Sequence, residues 1–515
     1  MQTIAAGKPT SKITSLETLA SLVEGLKVGG RRIVHCHGVF DLLHVGHIRH
    51  FKQAKMMGDV LVVTLTPDRF VNKGPGRPAF PENLRAEAIA ALDVVDFVAI
   101  NEWPQSVETI KLLKPDVYVK GQEYQDAAKD VTGGIALEGD AIRSVGGEMR
   151  FTEDIVFSSS SLLNSHMSLF SPETSQYLAE FRKRHSIDEV LSWVDRACAL
   201  RPLVVGEAII DEYLFCESIG KSTKDPVLAV LFESLVTLAG GTLAIANHLA
   251  GLCPEVRLIT TLGDTERREE FVRESLLANI DPVLLTKSGS PTIHKRRVVD
   301  RYSGNKLFEI YAMNDNPTAG ADLEALNTSL SVSAQASDVT LVADYGHGML
   351  PPASSALLCA QAPFLAVNSQ SNAGNRGFNP VSKYRRADYV CLAKHEIHME
   401  TRCRDEGSLH DSVLQVARTV DCPRFTVTKG KDGSLHYDRE HGFIDVPALA
   451  THVLDRVGAG DGVLAVTSLL VKCGAPWDIV GFAGNVAGAE LVAELGNRVP
   501  LSRVGLSKHI TSLMK

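Results

Sequence analysis

Two histidines three residues apart, His44 and His47, lie in the segment Gly38–His47, whose pattern is G-x-F-D-x-x-H-x-G-H. The segment follows a short β-like run and leads into a stretch with helical apolar spacing, so it joins a strand to a helix. The first turn of a helix binds anions through its free N–H groups and its dipole. At this spacing both imidazoles project to one side of that turn. Such donors suit phosphoryl chemistry, which depends on positioning and on stabilising negative charge.

A second anion site is indicated near the other end of the chain, where Asp455–Gly462 has the sequence D-R-V-G-A-G-D-G. The small residues Gly458, Ala459 and Gly460 let the backbone approach a phosphate closely. The carboxylate of Asp461 beside them is placed to take a proton from an attacking hydroxyl. The apolar run that follows is typical of a buried helix.

The elements that must position these residues alternate between strand-like apolar runs and amphipathic helical stretches, which predicts parallel sheets covered by helices on both faces. The strand-like runs are Arg32–Val34, Val60–Leu65, Val94–Ile100, Val117–Val119, Leu203–Val205, Leu258–Thr261, Val339–Ala343, Phe364–Val367, Tyr389–Leu392 and Phe425–Thr428. We therefore expect an α/β protein with two doubly wound domains.

A polar stretch of mixed helical character separates the two systems of strands and helices. We place an N-terminal domain at residues 1–165, a helical connector at 166–200 and a C-terminal domain at 201–515. The length of 515 residues is compatible with this division.

Composition excludes several classes of protein. The net charge of −8 argues against a dedicated nucleic-acid binder. The longest apolar stretch, Gly462–Val471, has half the length that a membrane span needs, and Met1–Lys12 lacks the apolar core of a signal peptide. Nine cysteines without a C-x-x-C pair argue against a disulfide scaffold or a zinc ribbon. We expect a cytoplasmic protein that binds neither nucleic acid nor membranes.

The first segment resembles the H-x-G-H signature of the cytidylyltransferase-like nucleotidyltransferases, which have a Rossmann-like fold. Further matches are Lys73-Gly74, Arg77-Pro78, Val119-Lys120-Gly121 and the serines Ser158–Ser161. The resemblance implies that His44 and His47 stabilise the triphosphate in the transition state. It implies nucleotide or phosphate binding by Gly38, Phe40, Asp41, Lys73, Arg85, Lys120, Ser159 and Ser160.

The second segment resembles the closing signature D-T-x-G-A-G-D of the pfkB/ribokinase family. The resemblance implies that Asp461 is the catalytic base and that Gly458, Ala459 and Gly460 bind the transferred phosphate. It implies a sugar site formed by Asp211, Gly240, Gly241, Lys295, Arg297 and Asp344. Both halves resemble the bifunctional heptose-phosphate kinase/heptose-1-phosphate adenylyltransferase, with the nucleotidyltransferase placed first here.

The second domain departs from its family at several polar positions. Glu207 stands where the family has aspartate, Ala244 where it has asparagine, and His347 where it has lysine. The D-P-K and P-N-x-x-E motifs read Asn368-Ser369-Gln370 and Leu392–Glu396, and Arg456-Val457 replaces the threonine region of the closing signature.

Three functions fit these observations. The first is a bifunctional enzyme in which a sugar kinase makes a phosphorylated substrate and a nucleotidyltransferase activates the sugar or polyol phosphate with ATP or CTP, releasing pyrophosphate. The second is a nucleotidyltransferase whose kinase-like domain is non-catalytic and serves dimerisation or ligand sensing. The third, a regulatory nucleotide-binding protein, is disfavoured by the intact histidine signature. The resemblance implies Mg²⁺ bound with the triphosphate and a homo-oligomer; we assign no metal ligands in the protein.

Overall fold

The computed structural model describes residues 12–71, 73–74, 77–125, 134–153, 170–403 and 409–515. Its contacts divide the chain into two compact units. The first comprises Met1–Ser171 together with Ser507–Lys515, and the second comprises Pro172–Leu506.

The first unit is built on a five-stranded sheet whose strands all pair in parallel. Its strands are β1 (Ile33–Gly38), β2 (Val60–Leu65), β3 (Phe97–Ile100), β4 (Val117–Gly121) and β5 (Glu148–Thr152), in the order β3-β2-β1-β4-β5. Its helices are α1 (Leu16–Val28), α2 (Val45–Lys55), α3 (Glu82–Ala90), α4 (Val107–Leu113) and α5 (Gly134–Ser144). Short 3₁₀ turns occupy Asp68–Phe70 and Gln122–Tyr124.

Alternation along β1 decides which helices cover which face of this sheet. Val34 and Cys36 pack in one cluster with Phe51 and Ala54 of α2. Ile33 lies on the opposite face, in a cluster with Leu16, Leu19 and Val23 of α1. The carboxyl ends of β1 and β4 are neighbours, so the histidine signature after β1 and Lys120 near the end of β4 lie at the same edge of the sheet.

The second unit begins with helices α6 (Pro172–Arg184) and α7 (Ile187–Cys198), which occupy most of the connector expected from the sequence. Ser186 caps α7 by accepting a hydrogen bond from the N–H of Glu189. The rings of Phe181 and Phe482 stack with centroids 4.3 Å apart, so α6 packs within the second unit.

A nine-stranded sheet forms the centre of the second unit, in the order β10-β9-β6-β13-β14-β15-β16-β17-β18. Its strands are β6 (Pro202–Gly206), β9 (Val256–Thr265), β10 (Ile280–Pro291), β13 (Val339–Asp344), β14 (Leu365–Ser369), β15 (Tyr389–Ala393), β16 (Arg424–Thr428), β17 (Ser434–Asp438) and β18 (Gly442–Val446). The strands pair in parallel except at β16-β17 and β17-β18. The helices of this unit are α8 (Thr242–Ala250), α9 (Glu269–Ser275), α10 (Gly320–Ala336), α11 (Pro352–Gln361), α12 (Lys394–Thr401), α13 (Leu409–Thr419), α14 (Ala459–Lys472) and α15 (Trp477–Leu491). The last helix of the chain is α16 (Arg503–Met514), and 3₁₀ turns lie at Val381–Lys383 and Gly430–Asp432.

A separate four-stranded sheet was not predicted from the sequence. It contains β7 (Ala208–Lys221), β8 (Leu228–Gly241), β11 (Ile293–Asp300) and β12 (Lys306–Ala312), in the order β12-β11-β7-β8. Much of β8 is solvent-exposed, although it begins with an apolar run, and its hairpin with β7 contains register shifts.

Every strand-like run named in the sequence analysis overlaps a strand of one of the two large sheets. The α/β, doubly wound class is therefore confirmed. Among the described residues, no helix combines the length and the apolar character that crossing a bilayer requires.

Candidate active sites

The histidine signature forms the turn between β1 and α2, as predicted. Phe40 adopts a positive φ of 47°, and its ring lies against Gly38 and meets the His47 ring edge-on at a centroid distance of 5.2 Å. A positive φ is costly for a bulky residue, so packing must hold this turn in place. Because the Phe40 ring packs against His47, this turn also fixes the position of the His47 ring.

His44 is the N-cap of α2, and its Nδ1 accepts a hydrogen bond from the N–H of Gly46 at 3.1 Å. An accepting Nδ1 carries no proton, so in the neutral ring the proton is on Nε2. Nε2 is buried and has no hydrogen-bond partner among the described residues. The cap therefore leaves an unused N–H donor for a ligand.

Burial favours the neutral form of both signature histidines. Burial lowers the pKa of His47 to about 3, and burial with the nearby Lys73 lowers the pKa of His44. The two rings stack with centroids 3.8 Å apart, an arrangement that two imidazolium ions would oppose. They can therefore act as neutral hydrogen-bond donors at this site.

Lys73 supplies a cation beside the histidines. Burial lowers the pKa of Lys73 to about 8, and the positive charges of Lys515, Arg77 and Lys508 contribute to this decrease. The carboxylate of Asp41 acts in the opposite direction and raises the pKa. No hydrogen bond or ion pair of its ammonium group is found within the described ranges. A desolvated cation of this kind favours an anionic ligand.

The C-terminal residues of the first unit were not assigned to this site from the sequence. A Cβ atom on Gly74 would lie 2.5 Å from the His509 ring, so the ring packs directly against the backbone of the Lys73-Gly74 turn. Nothing in the local sequence signals this contact, because the two segments are separated by more than 400 residues.

Arg85, which we expected to bind phosphate, is surrounded by hydrogen-bond acceptors of the protein. Its guanidinium group is buried and donates hydrogen bonds to the carbonyl oxygens of Val39, Thr66 and Phe80 and to the carboxylate of Asp68. These bonds tie the loops after β1 and β2 together. Arg85 therefore stabilises these loops from within the protein.

Asp41 is likewise engaged within the protein. Its carboxylate accepts hydrogen bonds from the Arg77 side chain and from the N–H of Ala79, so it anchors the loop that follows Lys73. The predicted phosphate ligands Ser159 and Ser160 lie outside the described residues.

Lys120 lies near the carboxyl end of β4, and its ammonium is 2.9 Å from Oε2 of Glu138 on α5. The two side chains are 12% and 9% exposed, so this is a nearly buried ion pair. Sequence analysis did not single out Glu138.

In the second unit, a cleft of about 280 Å³ contains Asp461 and the Gly458 and Gly460 of its signature. Gly458 is the N-cap of α14 with φ 88°, and Asp461 lies in the first turn of that helix. A Cβ atom on Gly458 would lie 1.9 Å from Oδ1 of Asn497, so only glycine fits. The turn and the helix terminus together form an anion site facing the cleft.

The carboxylate of Asp461 is suited to accept a proton near neutral pH. Its Oδ1 accepts hydrogen bonds from Tyr345 at 3.2 Å and from Gln370 at 3.4 Å. Burial raises its pKa to about 7, and the charges of Asp211 and Glu396 contribute to the rise. A general base is most effective when its pKa lies near the working pH.

Four of the six predicted sugar-site residues line this cleft, whereas Gly240 and Asp344 do not. Asp211, Gly241, Lys295 and Arg297 line the cleft, and Arg297 pairs with Asp211 at 2.6 Å. Gly240 leaves room for Asp211, since a Cβ atom there would lie 2.2 Å from its Oδ2.

Lys295 differs from its neighbour Arg297 in its partners. It lies over the ring of Tyr311, and neither a hydrogen bond nor an ion pair of its ammonium is found in the described parts of the chain. Burial lowers its pKa, with Asp211 opposing the effect. Lys295 is therefore a cation available to a bound anion.

Asp344 is engaged elsewhere in the protein. It does not line the cleft; its carboxylate pairs with Lys383 and accepts a hydrogen bond from Tyr384 at 2.6 Å. The structure thus gives Asp344 a supporting role in the loop after β13.

The substituted residue Glu207 keeps a supporting function in the same loop. Its carboxylate accepts hydrogen bonds from the N–H groups of Tyr345, His347 and Met349. Burial raises its pKa, and the Asp344 carboxylate adds to the rise. The replacement of aspartate by glutamate therefore preserves a carboxylate that orders the segment carrying Tyr345.

Comparison with known proteins supports both assignments. Residues 35–164 match the family described as cytidylyltransferase-like, and residues 201–503, more than half of the chain, match the pfkB family of carbohydrate kinases. Phosphofructokinase-2 from Escherichia coli, solved with substrates and products, shares 16% sequence identity and a TM-score of 0.51, covering 62% of this chain and 100% of that one. That likeness concerns the fold.

Curated relatives match a shorter part of the chain. The bifunctional protein HldE of Geotalea uraniireducens is 45% identical over 116 residues, which are 22% of this chain and 24% of that protein. HldE of Syntrophotalea carbinolica is 35% identical over 145 residues, 28% of each chain. The chain thus spans about a quarter of the length of these curated relatives. The chain belongs to the pfkB carbohydrate kinase family, and a cytidylyltransferase-like nucleotidyltransferase domain precedes its kinase domain.

Proposed function

We propose that this protein makes a nucleotide-activated sugar in two steps, each in one of its domains. The kinase domain phosphorylates a sugar phosphate with ATP, and the nucleotidyltransferase domain transfers a nucleotidyl group from ATP or CTP to the resulting sugar 1-phosphate. Pyrophosphate is released in the second step.

One observation carries the kinase assignment: Asp461 lies in an open cleft at the amino end of α14, beside the Gly458 turn. In the proposed step the acceptor hydroxyl oxygen bonds to the γ-phosphorus while the bond from that phosphorus to ADP breaks. The hydroxyl proton passes to Asp461. The N–H groups of the turn stabilise the negative charge on the transferring group.

The cations of the cleft support an anionic acceptor. Arg297 is neutralised by Asp211, whereas no partner of Lys295 is found among the described residues. A free sugar would leave this desolvated ammonium uncompensated, and a phosphate on the sugar would compensate it. A sugar phosphate therefore fits the cleft better than a neutral sugar.

In the nucleotidyltransferase domain, an oxygen of the sugar 1-phosphate attacks the α-phosphorus, and the bond to pyrophosphate breaks. The Nε2–H of His44, with His47 beside it, donates to phosphate oxygens on which charge develops. Lys73 and Lys120 attract the triphosphate. No proton transfer is needed, because the attacking phosphate oxygen is already ionised.

Mg²⁺ bound with the triphosphate would neutralise phosphate charge in both reactions. The kinase cleft fits such an ion, because it offers the carboxylate of Glu396 and the side chain of Asn368, whose Oδ1 is buried without a partner among the described residues. Oxygen donors of this kind are those that Mg²⁺ prefers.

We also propose a homo-oligomer formed through the four-stranded sheet of the second unit. This sheet exposes the large apolar side chains Leu228, Leu231, Phe232, Leu235, Phe308 and Ile310. Several large exposed apolar side chains on one sheet are typical of an interface with another chain.

The proposal is tested by incubating the full chain with ATP and a panel of sugars and sugar phosphates, followed by mass spectrometry. We expect an added phosphate on a sugar phosphate, and a nucleotide sugar with pyrophosphate when the matching triphosphate is present. Parallel incubations with ATP, CTP, GTP and UTP identify the nucleotide. Pyrophosphate release from a ready-made sugar 1-phosphate, with no phosphorylation of any acceptor, would instead support a non-catalytic kinase-like domain.

A further inference from the structure

Lys120 is held in one place by a carboxylate that no motif identifies. Its Nζ lies 3.1 Å from Oε1 and 2.9 Å from Oε2 of Glu138, so the ammonium bridges both carboxylate oxygens. The same ammonium lies 5.4 Å from the centre of the Tyr118 ring and 5.3 Å from that of Tyr124. A long flexible side chain is thus confined on several sides.

The carboxylate of Glu138 is itself fixed by a buried chain of hydrogen bonds. The hydroxyl of Ser106 donates to Oε1 of Glu138 at 2.6 Å. Since that hydroxyl has a single hydrogen, the Tyr118 hydroxyl, 2.7 Å away, must donate to Ser106. Ser106 and Tyr118 are fully buried, so the orientation of Glu138 is set by the core between β4, α4 and α5.

Apart from Glu138, no anionic side chain forms an ion pair with Lys120 among the described residues. The buried His35 and His37 and the partly buried His50 lie close enough that the positive charge of Lys120 helps to lower their pKa, after the larger effect of burial. Without Glu138 the ammonium would lie desolvated beside these rings and would gain by turning toward solvent.

A nearly buried ion pair is weak evidence of stabilisation, because the desolvation of both charges offsets their attraction. What the pair does provide is orientation, since a free lysine side chain loses rotamer entropy when a ligand immobilises it. Lys120 lies at the sheet edge that carries the histidine signature. An ammonium already immobilised there is ready to meet phosphate oxygens.

We propose that Glu138 is a positioning residue of nucleotidyl transfer, which acts by orienting the ammonium of Lys120 toward the triphosphate. This rests on the proposed function in one respect, the contact of Lys120 with phosphate.

The test is a double-mutant cycle in the full chain, with kcat and KM for the triphosphate measured by pyrophosphate release. The variants are Glu138→Gln, Lys120→Met and the double variant. We expect Glu138→Gln to lower kcat/KM by ~10–10²-fold, the order of effect of a small misplacement of a reacting group. In the Lys120→Met background the same change should have no further effect, because Glu138 acts only through the lysine.

Two further measurements separate positioning from a structural role. Glu138→Asp, which keeps the charge, should retain more kcat/KM than Glu138→Gln, which keeps the shape; a merely structural role of the side chain would give the opposite order. Asp140→Asn is the matched control: it makes the same chemical change on α5 at a side chain that is 74% exposed, and it should leave kcat/KM unchanged.

Glu138→Asp keeps the charge but shortens its reach, and it replaces Glu138→Gln in the cycle if the amide variant fails to fold. Normal kcat/KM in the Glu138 variant, or effects of the two single changes that multiply in the double variant, would overturn the proposal. Normal activity of Lys120→Met would instead remove Lys120 from the site, and with it any positioning role of Glu138.

Discussion

Asp461→Asn tests the kinase assignment most directly, because it changes the chemistry and little else. Oδ1 of Asp461 accepts both hydrogen bonds, from Tyr345 and Gln370, and the amide oxygen of asparagine can accept both in the same place. The variant thus keeps the shape of the cleft and loses the base. We expect the kinase kcat to fall by at least ~10²-fold, the lower end for loss of a general base.

The pKa of about 7 gives this prediction a pH signature in the unmodified protein. Only the ionised carboxylate accepts a proton, so kcat/KM of the kinase step should rise about tenfold per pH unit below 7 and level off above it. The residual activity of Asp461→Asn should not follow this profile. Initial rates of ADP formation between pH 5 and 9 measure both effects.

The same substitution should stabilise the protein. The folded-state pKa is raised from 3.8 to about 7, so the folded protein holds a proton that the unfolded chain has lost, and stability falls as pH rises from about 4 to 7. Three pKa units at 1.36 kcal/mol each correspond to about 4 kcal/mol as an upper value. At pH 8 Asp461→Asn should therefore have a higher Tm than the unmodified protein, with the difference vanishing near pH 4.

The control is nucleotidyl transfer from a supplied sugar 1-phosphate, which should stay normal because it uses the other domain. Unchanged kinase turnover in Asp461→Asn would refute the role of the base. Loss of nucleotidyl transfer in a folded variant would refute the division into two independent sites. A lower Tm of Asp461→Asn than of the unmodified protein at pH 8 would show that the buried, ionised carboxylate does not destabilise the fold.

Three further changes test the first unit. His47→Ala should lower the nucleotidyltransferase kcat by ~10²–10³-fold, as the loss of one oxyanion donor does, and wild-type turnover would exclude this site as the reaction centre. Arg85→Lys should destabilise the protein to denaturant by about 3–5 kcal/mol, since it breaks a buried network; unchanged stability with a raised KM for the triphosphate would restore a phosphate-binding role. A chain ending at Leu506 should show a raised KM for the triphosphate, because the Gly74 turn loses its contact with His509, and an unchanged KM would show that this contact is dispensable.

The local sequence determined the features that depend on neighbouring residues. The G-x-F-D-x-x-H-x-G-H segment contains both the N-cap residue His44 and the glycine, Gly46, whose N–H donates to it. The strand, the turn and the start of the helix therefore follow from residues within one segment. The Gly458 turn and Asp461 follow in the same way from the closing signature. The parallel strands could be predicted from continuous apolar runs in the sequence, because both faces of these strands are buried.

Tertiary structure alone decided which polar side chains are engaged by other parts of the protein and which are left without such partners among the described residues. Arg85 and Lys73 are both basic residues near the signature, yet carbonyl oxygens from three separate segments surround Arg85, and no such partners of Lys73 are found in the described residues. Glu138 reaches Lys120 and His509 reaches Gly74 across the fold. The physical reason is that burial and partners of a charged side chain depend on distant segments, which the type and spacing of residues along the chain do not encode.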